Sequence, residues 1–295
     1  MSPSMTASGP WLVRWVSRLL PFAALCAFAT AQAGTLEDIR ERGVIRLGYS
    51  ETKAPFSFKA KDDSQPAGYS VELCKRVALS VLRTLDLSSL KIEWVPLDPS
   101  SRLEAVLMQR VDIECGTTTA TLTRRREVDF SLPIFADIST VVAWSKVART
   151  LPELAGQRIA VAEFTTTDKA LDRALSARQL KAQVVRTRTV AEAIDLLKAG
   201  RVEAVAGDRT ALVGSFLLQG PSEEPLTLLG EVLSYEPYAL ALRRGDAPFR
   251  LLVDTALSEL YRSGEIEKIV DAWLAPIGPL SPAVRVMFEL NALPE

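Results

Sequence analysis

The chain alternates short apolar strands with amphipathic helices, and this alternation restricts its fold more than any other feature. Beyond residue 34, each strand-like run is followed by a stretch with apolar residues at helical spacing. The order is TLEDIRERG as a helix, VIRLGYS as a strand, YSVELCKRVALSVLRTL as a helix, LKIEWVPL as a strand, SSRLEAVLMQR as a helix and VDIEC as a strand. This order predicts a mainly parallel sheet with helices on its faces.

The middle of the chain repeats the same pattern, which predicts a second sheet. Its elements are QRIAVAEF, TTDKALDRALSA, AQVVRT, TVAEAIDLLKAG and VEAVAGD, followed by YALALRR, FRLLVDTALSELYRSG and EIEKIVDAWL. No low-complexity linker separates the halves, and 295 residues suffice for two domains of ordinary size. The predicted fold class is α/β, with two α/β lobes and no flexible tether.

Residues 1–33 differ in kind from the rest of the chain. They contain no acidic residue, and Arg14 and Arg18 lead into an apolar run that ends in Ala31-Gln32-Ala33. These are the marks of a secretory signal peptide, cleaved before Gly34. The alternative is an uncleaved anchor, although the apolar run is shorter than the ~20 residues that a membrane span needs. We therefore expect an exported, periplasmic protein.

Export leaves Cys74 and Cys115 in a compartment where disulfides persist. An even number of cysteines there favours a disulfide, and the alternative is two buried free thiols. Two cysteines in a chain without histidine are a poor ligand set, so we expect neither a metal nor another cofactor. The missing histidine also excludes Ser-His-Asp and Cys-His catalytic systems.

The charge of the chain is nearly balanced. Its 35 Lys and Arg residues face 36 Asp and Glu residues, which gives a formal net charge of -1. No global field is therefore available to hold nucleic acid or an acidic membrane surface, and any recognition of charge must be local.

Four predicted strands end in polar junctions. In open α/β sheets, ligands usually bind at the carboxyl ends of strands. Hydroxyl and backbone N–H groups at such turns can hold a carboxylate, although any one threonine run is also explained as a helix cap. The junctions are Gly48-Tyr49-Ser50, Gly116-Thr117-Thr118-Thr119, Thr165-Thr166-Thr167 and Gly207-Asp208.

Arg102 and Asp208 add opposite charges to these junctions. Ser101-Arg102-Leu103-Glu104 fits a capping box, which would place a cation in the first turn of a helix, where the dipole disfavours it. An anionic ligand would resolve this conflict, and so would a solvated surface arginine. Asp208 would accept an ammonium group or cap the following helix. Together the two residues suit a zwitterion.

The run Arg124-Arg125-Arg126 is a weak candidate for an anion site despite its three positive charges. Consecutive arginines on a helix point in different directions and are usually solvated or paired with acids. Glu127 and Asp129 lie close by in the sequence. We therefore assign this run to the surface of the structure.

These residues, taken in order, resemble the extracellular solute-binding proteins of family 3, which deliver polar amino acids to ABC importers. The glutamate/aspartate-binding members and the general L-amino-acid binders are the most similar. The resemblance rests on TLEDIRERGVIRLGYSE, PFSF, GYSVELC, SSR, DIECGTTT, RRREVDFSLPIF, LKAGRVEAVAGD, YALALRRGD and MFEL. It implies a type II periplasmic binding fold, with residues 34–143 plus 239–295 as lobe 1 and 144–238 as lobe 2.

By position, the resemblance also implies roles for single residues. Arg102 matches the arginine that holds the ligand α-carboxylate, and Thr117 and Thr119 match hydroxyl residues that hold the carboxylate and the amine. Asp208 matches the acid that takes the ammonium group. Cysteines at the positions of Cys74 and Cys115 form a disulfide in related sequences. Tyr49, Ser50, Thr165 and Thr166 complete the predicted ligand site.

The chain departs from the acidic-amino-acid binders at several positions. Ser50 replaces the arginine for the side-chain carboxylate, Pro99 replaces a ligand-contacting serine, and a ligand-contacting histidine falls near Val190. Phe164 replaces the glycine before the second-lobe threonines. Because an unpaired buried carboxylate is costly, glutamate and aspartate are not the expected ligands.

The resulting functional prediction is a monomeric periplasmic receptor, not an enzyme, that delivers an amino acid to an ABC permease in the inner membrane. The alternative is a cyclohexadienyl (prephenate/arogenate) dehydratase-like enzyme on the same fold. Such an enzyme needs a general acid in the cleft, for which Glu163 is the candidate, but a solvent-facing turn is the preferred explanation of that residue. A third reading is a receptor that serves a sensor protein.

Overall fold

The protein is seen here as a computed structural model, which describes residues 34–60, 63–219 and 224–294. The predicted signal peptide, 1–33, lies outside the described residues. The helices are α1 (Thr35–Arg42), α2 (Tyr69–Thr84), α3 (Arg102–Leu107), α4 (Thr166–Ala177), α5 (Val190–Lys198), α6 (Arg209–Gln219), α7 (Ala247–Ser263), α8 (Glu265–Leu274) and α9 (Pro282–Asn291). In the described part of the chain, no helix is long and apolar enough to cross a membrane.

The strands belong to one large sheet and one short hairpin. They are β1 (Val44–Tyr49), β2 (Thr52–Lys53), β3 (Ser57–Phe58), β4 (Lys91–Pro96), β5 (Ile113–Glu114), β6 (Asp129–Trp144), β7 (Arg158–Ala162), β8 (Gln183–Thr187), β9 (Ala204–Asp208), β10 (Leu226–Leu228) and β11 (Ser234–Leu242). The large sheet has the order β4-β1-β5-β11-β6-β9-β7-β8, with β10 beside β6, while β2 and β3 form the hairpin.

Helix boundaries follow local signals in the sequence. The first turn of α1 carries Glu37 and Asp38, which complement the helix dipole, and α1 ends at Gly43 with a left-handed φ of 63°. The side chain of Asp246 accepts a backbone N–H from the first turn of α7, and α7 ends at Gly264 with φ 74°. Glycine adopts these left-handed conformations without the penalty that a Cβ atom would bring.

The sheet differs from the prediction at its centre. Strand β1 is parallel to β4 and β5, and β7 is parallel to β8 and β9, as the strand and helix alternation predicts. However, β6 and β11 are antiparallel to each other and join the two parallel parts into one sheet. This happens because β6 is 16 residues long and continues from one part into the other.

Apolar clusters lie on both sides of this connection. The first core combines residues from both ends of the chain, among them Ile39, Leu73, Val77, Leu257 and Phe288. The second side is built from the middle of the chain, with Val141, Ile159 and Leu171 in one cluster and Ile194, Leu197 and Leu212 in another. Each lobe therefore packs its own apolar interior.

We propose that residues 34–143 plus 239–295 form lobe 1 and that 144–238 form lobe 2. Val141 and Ala143, at the end of the first range, already pack in one apolar cluster with Ile159 and Leu171, so the structure favours a first crossover a few residues earlier in β6 than residue 144. A disulfide joins Cys74 on α2 to Cys115 after β5, with a Cα–Cα distance of 6.2 Å. It links a helix to the central sheet inside lobe 1.

Candidate ligand-binding cleft

A cavity of about 690 Å³ lies between the two lobes. It forms where the loops after β5 and β7 approach strand β11. Of the predicted site residues, Thr119, Thr165 and Thr166 line it. Other lining residues are Pro99, Leu103, Leu107 and Arg124 from lobe 1, and Phe164, Lys169, Tyr235 and Glu236 from lobe 2 and its connection.

Arg102 is buried outside the cavity lining, and its Nε donor is unused. It is the first residue of α3 and is 8% exposed. Among the described residues its side chain has no ion pair, and its Nε atom has no hydrogen-bond partner. The Oγ1 atom of Thr117, which is 4% exposed, also lacks a partner there. Buried donors without acceptors are costly, so this pair is suited to an anionic ligand.

The predicted capping box at the start of α3 is wrong. The side chain of Ser101 forms no cap. Instead, Asp98 Oδ1 accepts the N–H groups of Ser100 at 3.0 Å and Ser101 at 2.9 Å, because a carboxylate is the stronger acceptor in this turn. Glu104 pairs with Arg110 at 3.3 Å, rather than reaching back over the helix end.

Glu236 connects hydroxyl groups from both lobes. Thr119 and Thr166 each donate from Oγ1 to Glu236 Oε2 at 2.5 Å, and Ser234 donates to Glu236 Oε1. With their protons on Glu236, both threonine hydroxyls present lone pairs, which accept hydrogen bonds from an ammonium group. The sequence analysis missed Glu236. Its one signal is an acidic residue in the otherwise apolar strand SYEPYALAL.

Asp208 lies at the end of β9 and already has partners. Its Oδ1 atom accepts from Thr167 Oγ1 at 2.9 Å, and its Oδ2 atom lies 3.6 Å from Lys53 Nζ. The side chain of Lys53 is 7% exposed, so this ion pair is buried where β2 of lobe 1 approaches lobe 2. Lys53 was missed from the sequence, because a lysine in a short hairpin carries no local signal of burial, whereas Thr167 belongs to the predicted junction Thr165-Thr166-Thr167.

Asp137 on β6 is a second acid close to Asp208. It accepts backbone N–H groups from Ile138 at 2.8 Å and from Thr210 at 3.1 Å. Burial and, next, the nearby charge of Asp208 raise the pKa of Asp137 to about 7. The tyrosine hydroxyl of Tyr238 lies 3.5 Å away. The acid is therefore partly protonated near neutral pH.

Arg124 corrects the assignment of the three arginines to the surface. It lines the cavity and donates to the carbonyl oxygens of Thr119 at 2.9 Å and Phe164 at 3.5 Å, which connects the two lobes. Burial and, next, the charge of Arg102 lower the pKa of Arg124 to about 10. It turns inward because the run forms a short 3-10 helix at the cleft edge. Arg125 behaves as expected and covers the ring of Phe130 at 5.3 Å.

Glu114 lies at the end of β5, behind the threonine run. It is 2% exposed, and burial raises its pKa, while the charge of Arg102 acts in the opposite direction. Gly116 leaves room for this carboxyl group, because a Cβ atom there would lie 2.2 Å from Glu114 Oε1. The glycine in CGTTT is therefore required by close packing.

Tyr49 and Ser50 lie at the end of β1 and use their side chains locally. Tyr49 is buried and meets the ring of Trp94 edge-on at 6.2 Å. Ser50 Oγ accepts the N–H of Thr52 at 3.4 Å, and the Ser50 N–H donates to Ser57 Oγ at 2.9 Å. Neither residue lines the 690 Å³ cavity.

Thr165 is mainly a helix cap. Its Oγ1 atom accepts the N–H of Asp168 at 3.1 Å and donates to the carbonyl of Ala162 at 2.7 Å. Val190 is 3% exposed and packs in the cluster of Ile194, Leu197 and Leu212, so it supplies no polar contact. Glu163 is half-buried and does not line the cavity. No group of three or more acidic, cysteine or histidine side chains in the described residues forms a metal site.

Comparison with known proteins identifies similar chains. The profile of the bacterial extracellular solute-binding proteins, family 3, matches residues 45–276. An L-glutamate/L-aspartate-binding protein of Pseudomonas aeruginosa is 32% identical over 249 residues, which cover 83% of this chain and 82% of that protein.

Two solved structures are similar along nearly their full length. The solute receptor for L-cysteine of Neisseria gonorrhoeae has a TM-score of 0.73 and 26% identity, covering 85% of this chain and 98% of that one. An ancestral amino-acid-binding protein, described as a precursor of cyclohexadienyl dehydratase, has a TM-score of 0.70 and 25% identity, covering 81% and 99%. The likeness extends to the two-lobed architecture that the alternating pattern predicts.

Proposed function

Because the chain belongs to the bacterial extracellular solute-binding proteins of family 3, we propose that it is a periplasmic receptor that captures an amino acid between its lobes and delivers it to an ABC permease. The ligand is an amino acid other than glutamate or aspartate. Residues 1–33 serve as the export signal. The architecture is the two-lobed type II periplasmic binding fold, and the curated relatives are solute-binding proteins rather than enzymes.

The observation that carries this proposal is the buried, unpartnered Arg102. Its guanidinium lies close enough to Arg124, which lines the cavity, to lower the pKa of that residue. A ligand carboxylate bound by Arg102 and Thr117 would supply the acceptors that both side chains lack. The hydroxyls of Thr119 and Thr166 would accept the ligand ammonium, and Asp208, which pairs with Lys53 outside the cavity lining, would act through its charge.

Contacts between the lobes explain how a ligand would favour closure. Thr119 of lobe 1 and Thr166 of lobe 2 share Glu236, Arg124 reaches the Phe164 carbonyl, and Lys53 approaches Asp208. A ligand that adds contacts to both lobes stabilises this closed arrangement relative to an open one. The permease would then recognise the closed form.

The dehydratase alternative has less support. It needs a general acid within reach of the substrate, and Glu163, the candidate from the sequence, does not line the cavity. The solved neighbour connected with that activity is itself described as an amino-acid-binding precursor.

A calorimetric and thermal-shift screen of the purified protein against the common amino acids tests the proposal. At ~100 times its dissociation constant, a ligand of the folded state adds about 2.7 kcal/mol of stability. Arg102→Ala should abolish this response, because it removes the proposed donor to the ligand carboxylate. Arg40→Ala, at an exposed residue of α1, is the matched control. Turnover of prephenate without any response to amino acids would refute the proposal.

A further inference from the structure

Two exposed aromatic side chains line the same cavity. Phe164 is 60% exposed and Tyr235 is 79% exposed. In the described part of the chain, all other aromatic residues are buried or half-buried. Single exposed apolar residues are ordinary, but these two exposed aromatic residues line the same cavity. Their shared position needs an explanation beyond chance exposure.

Phe164 also has an unfavourable backbone conformation. Its φ is +60°, in the left-handed region, which is uncommon for a bulky side chain and costs about 1–2 kcal/mol relative to glycine. The resemblance described above places a glycine at this position, which would avoid the strain. The carbonyl of Phe164 accepts from Arg124 across the cleft at 3.5 Å, which holds this turn against lobe 1. A strained conformation that exposes a phenylalanine ring to a cavity indicates a functional role for the ring.

The remaining apolar lining extends this surface. Leu103 and Leu107 of α3 line the cavity, and Leu107 is 45% exposed. The polar groups that would hold an amino acid backbone, Thr119, Thr166 and Glu236, lie on the same cavity. Its volume of about 690 Å³ falls within the range of pockets that enclose drug-sized molecules. An amino acid held by these hydroxyls would therefore share the cavity with Phe164, Tyr235 and the two leucines. Charged side chains, Glu104, Glu127, Lys169 and Arg173, line other parts of it.

We propose that the ligand is an amino acid with a large apolar or aromatic side chain, which packs against Phe164 and Tyr235. This inference rests on the proposed function and narrows its ligand class. Phe164 and Tyr235 thereby determine specificity, while the polar cradle recognises the part that all amino acids share. Offset or edge-on packing against two rings rewards a large side chain and leaves a small one without contacts.

Isothermal titration calorimetry on the unmutated protein tests the ligand class directly. The probes are L-phenylalanine, L-tyrosine and L-leucine, compared with L-alanine, L-serine and L-glutamine. We expect dissociation constants at least tenfold lower for the first group. Equal or tighter binding of the second group would overturn the inference and leave the proposed function intact. A complete lack of binding by amino acids would overturn both.

Two variants then test the residues. Phe164→Gly relieves the backbone strain, so the variant should be at least as stable as the unmutated protein while L-phenylalanine binds about tenfold more weakly and L-alanine is unaffected. Tyr235→Ala should act in the same direction, and Leu251→Ala, at a residue that is 67% exposed on α7, is the matched control. If L-phenylalanine and L-alanine both bind more weakly by the same factor, or if neither affinity changes, the aromatic pair does not select the side chain of the ligand.

Discussion

Replacing Asp137 with asparagine should change how the stability of the protein depends on pH. The pKa of this buried acid is about 7 in the folded protein, against an ordinary value of 3.8. The folded state therefore holds the proton more tightly than the unfolded chain. Between pH ~4 and ~7 this difference should lower the free energy of unfolding as pH rises, and above pH ~7 the loss should be constant.

The size of the effect follows from the shift. Three pKa units at about 1.4 kcal/mol each give a loss of about 4 kcal/mol between the two ends of this range. Asp137→Asn removes the titration but keeps a carbonyl oxygen for the N–H of Ile138. It weakens the contact with the N–H of Thr210, now 3.1 Å from Oδ2, at a cost of about 1 kcal/mol. The variant should be slightly less stable at pH 4 and more stable by about 3 kcal/mol at pH 8.

Urea unfolding followed by tryptophan fluorescence, at half-unit steps from pH 4 to 8.5, measures the difference between the two proteins. The chain contains no histidine, so no histidine titration overlaps this range. Taking the difference also cancels Glu114, which burial shifts in the same direction. Parallel stability curves for the two proteins would refute the argument that Asp137 is buried in protonated form beside Asp208.

Three further perturbations have defined outcomes. Replacing Cys74 and Cys115 with alanine opens a loop with a sequence separation of 41. It should lower the free energy of unfolding, measured in urea under oxidising conditions, by about 4 kcal/mol. Equal stability of the variant and the oxidised protein would contradict this. Glu236→Gln should weaken amino acid binding, because its NH2 group must face either both threonine hydroxyls or Ser234, which then accept rather than donate. Unchanged affinity in calorimetry would exclude that role. Lys53→Met should lower the free energy of unfolding by about 3 kcal/mol, because it leaves Asp208 buried without its cation. The double variant with Asp208→Asn should recover part of this loss. A single variant as stable as the unmutated protein would show that the pair contributes little.

The fold could be predicted largely from local patterns. The alternation of strands and helices depends on side-chain periodicity, which is visible within each segment of the sequence. The connection of both halves through β6 and β11 could not be predicted in this way, because strand pairing depends on contacts between residues far apart in the chain. The two parallel parts were therefore expected as separate sheets.

The candidate site shows the same division between local and distant information. The threonine runs and Arg102 follow strands at visible junctions, so their position could be expected. Other contacts of the site join residues that are far apart in the chain. Lys53 pairs with Asp208, 155 positions away, Glu236 with Thr119, 117 positions away, and Arg124 with Phe164, 40 positions away. The neighbouring sequence gives no sign of these contacts. The error at Ser101 was of another kind, since Asp98 accepts the Ser101 N–H that a capping box assigns to Glu104.

The composition of the first core determines the order in which the protein can mature. Its members range from Ile39 to Phe288, whereas the clusters of the second lobe draw on residues 141–229. As the chain leaves the ribosome from its amino terminus, the middle segment is complete while the first lobe still lacks α7, α8 and α9. The first lobe can therefore complete its core only after the carboxyl-terminal helices have appeared.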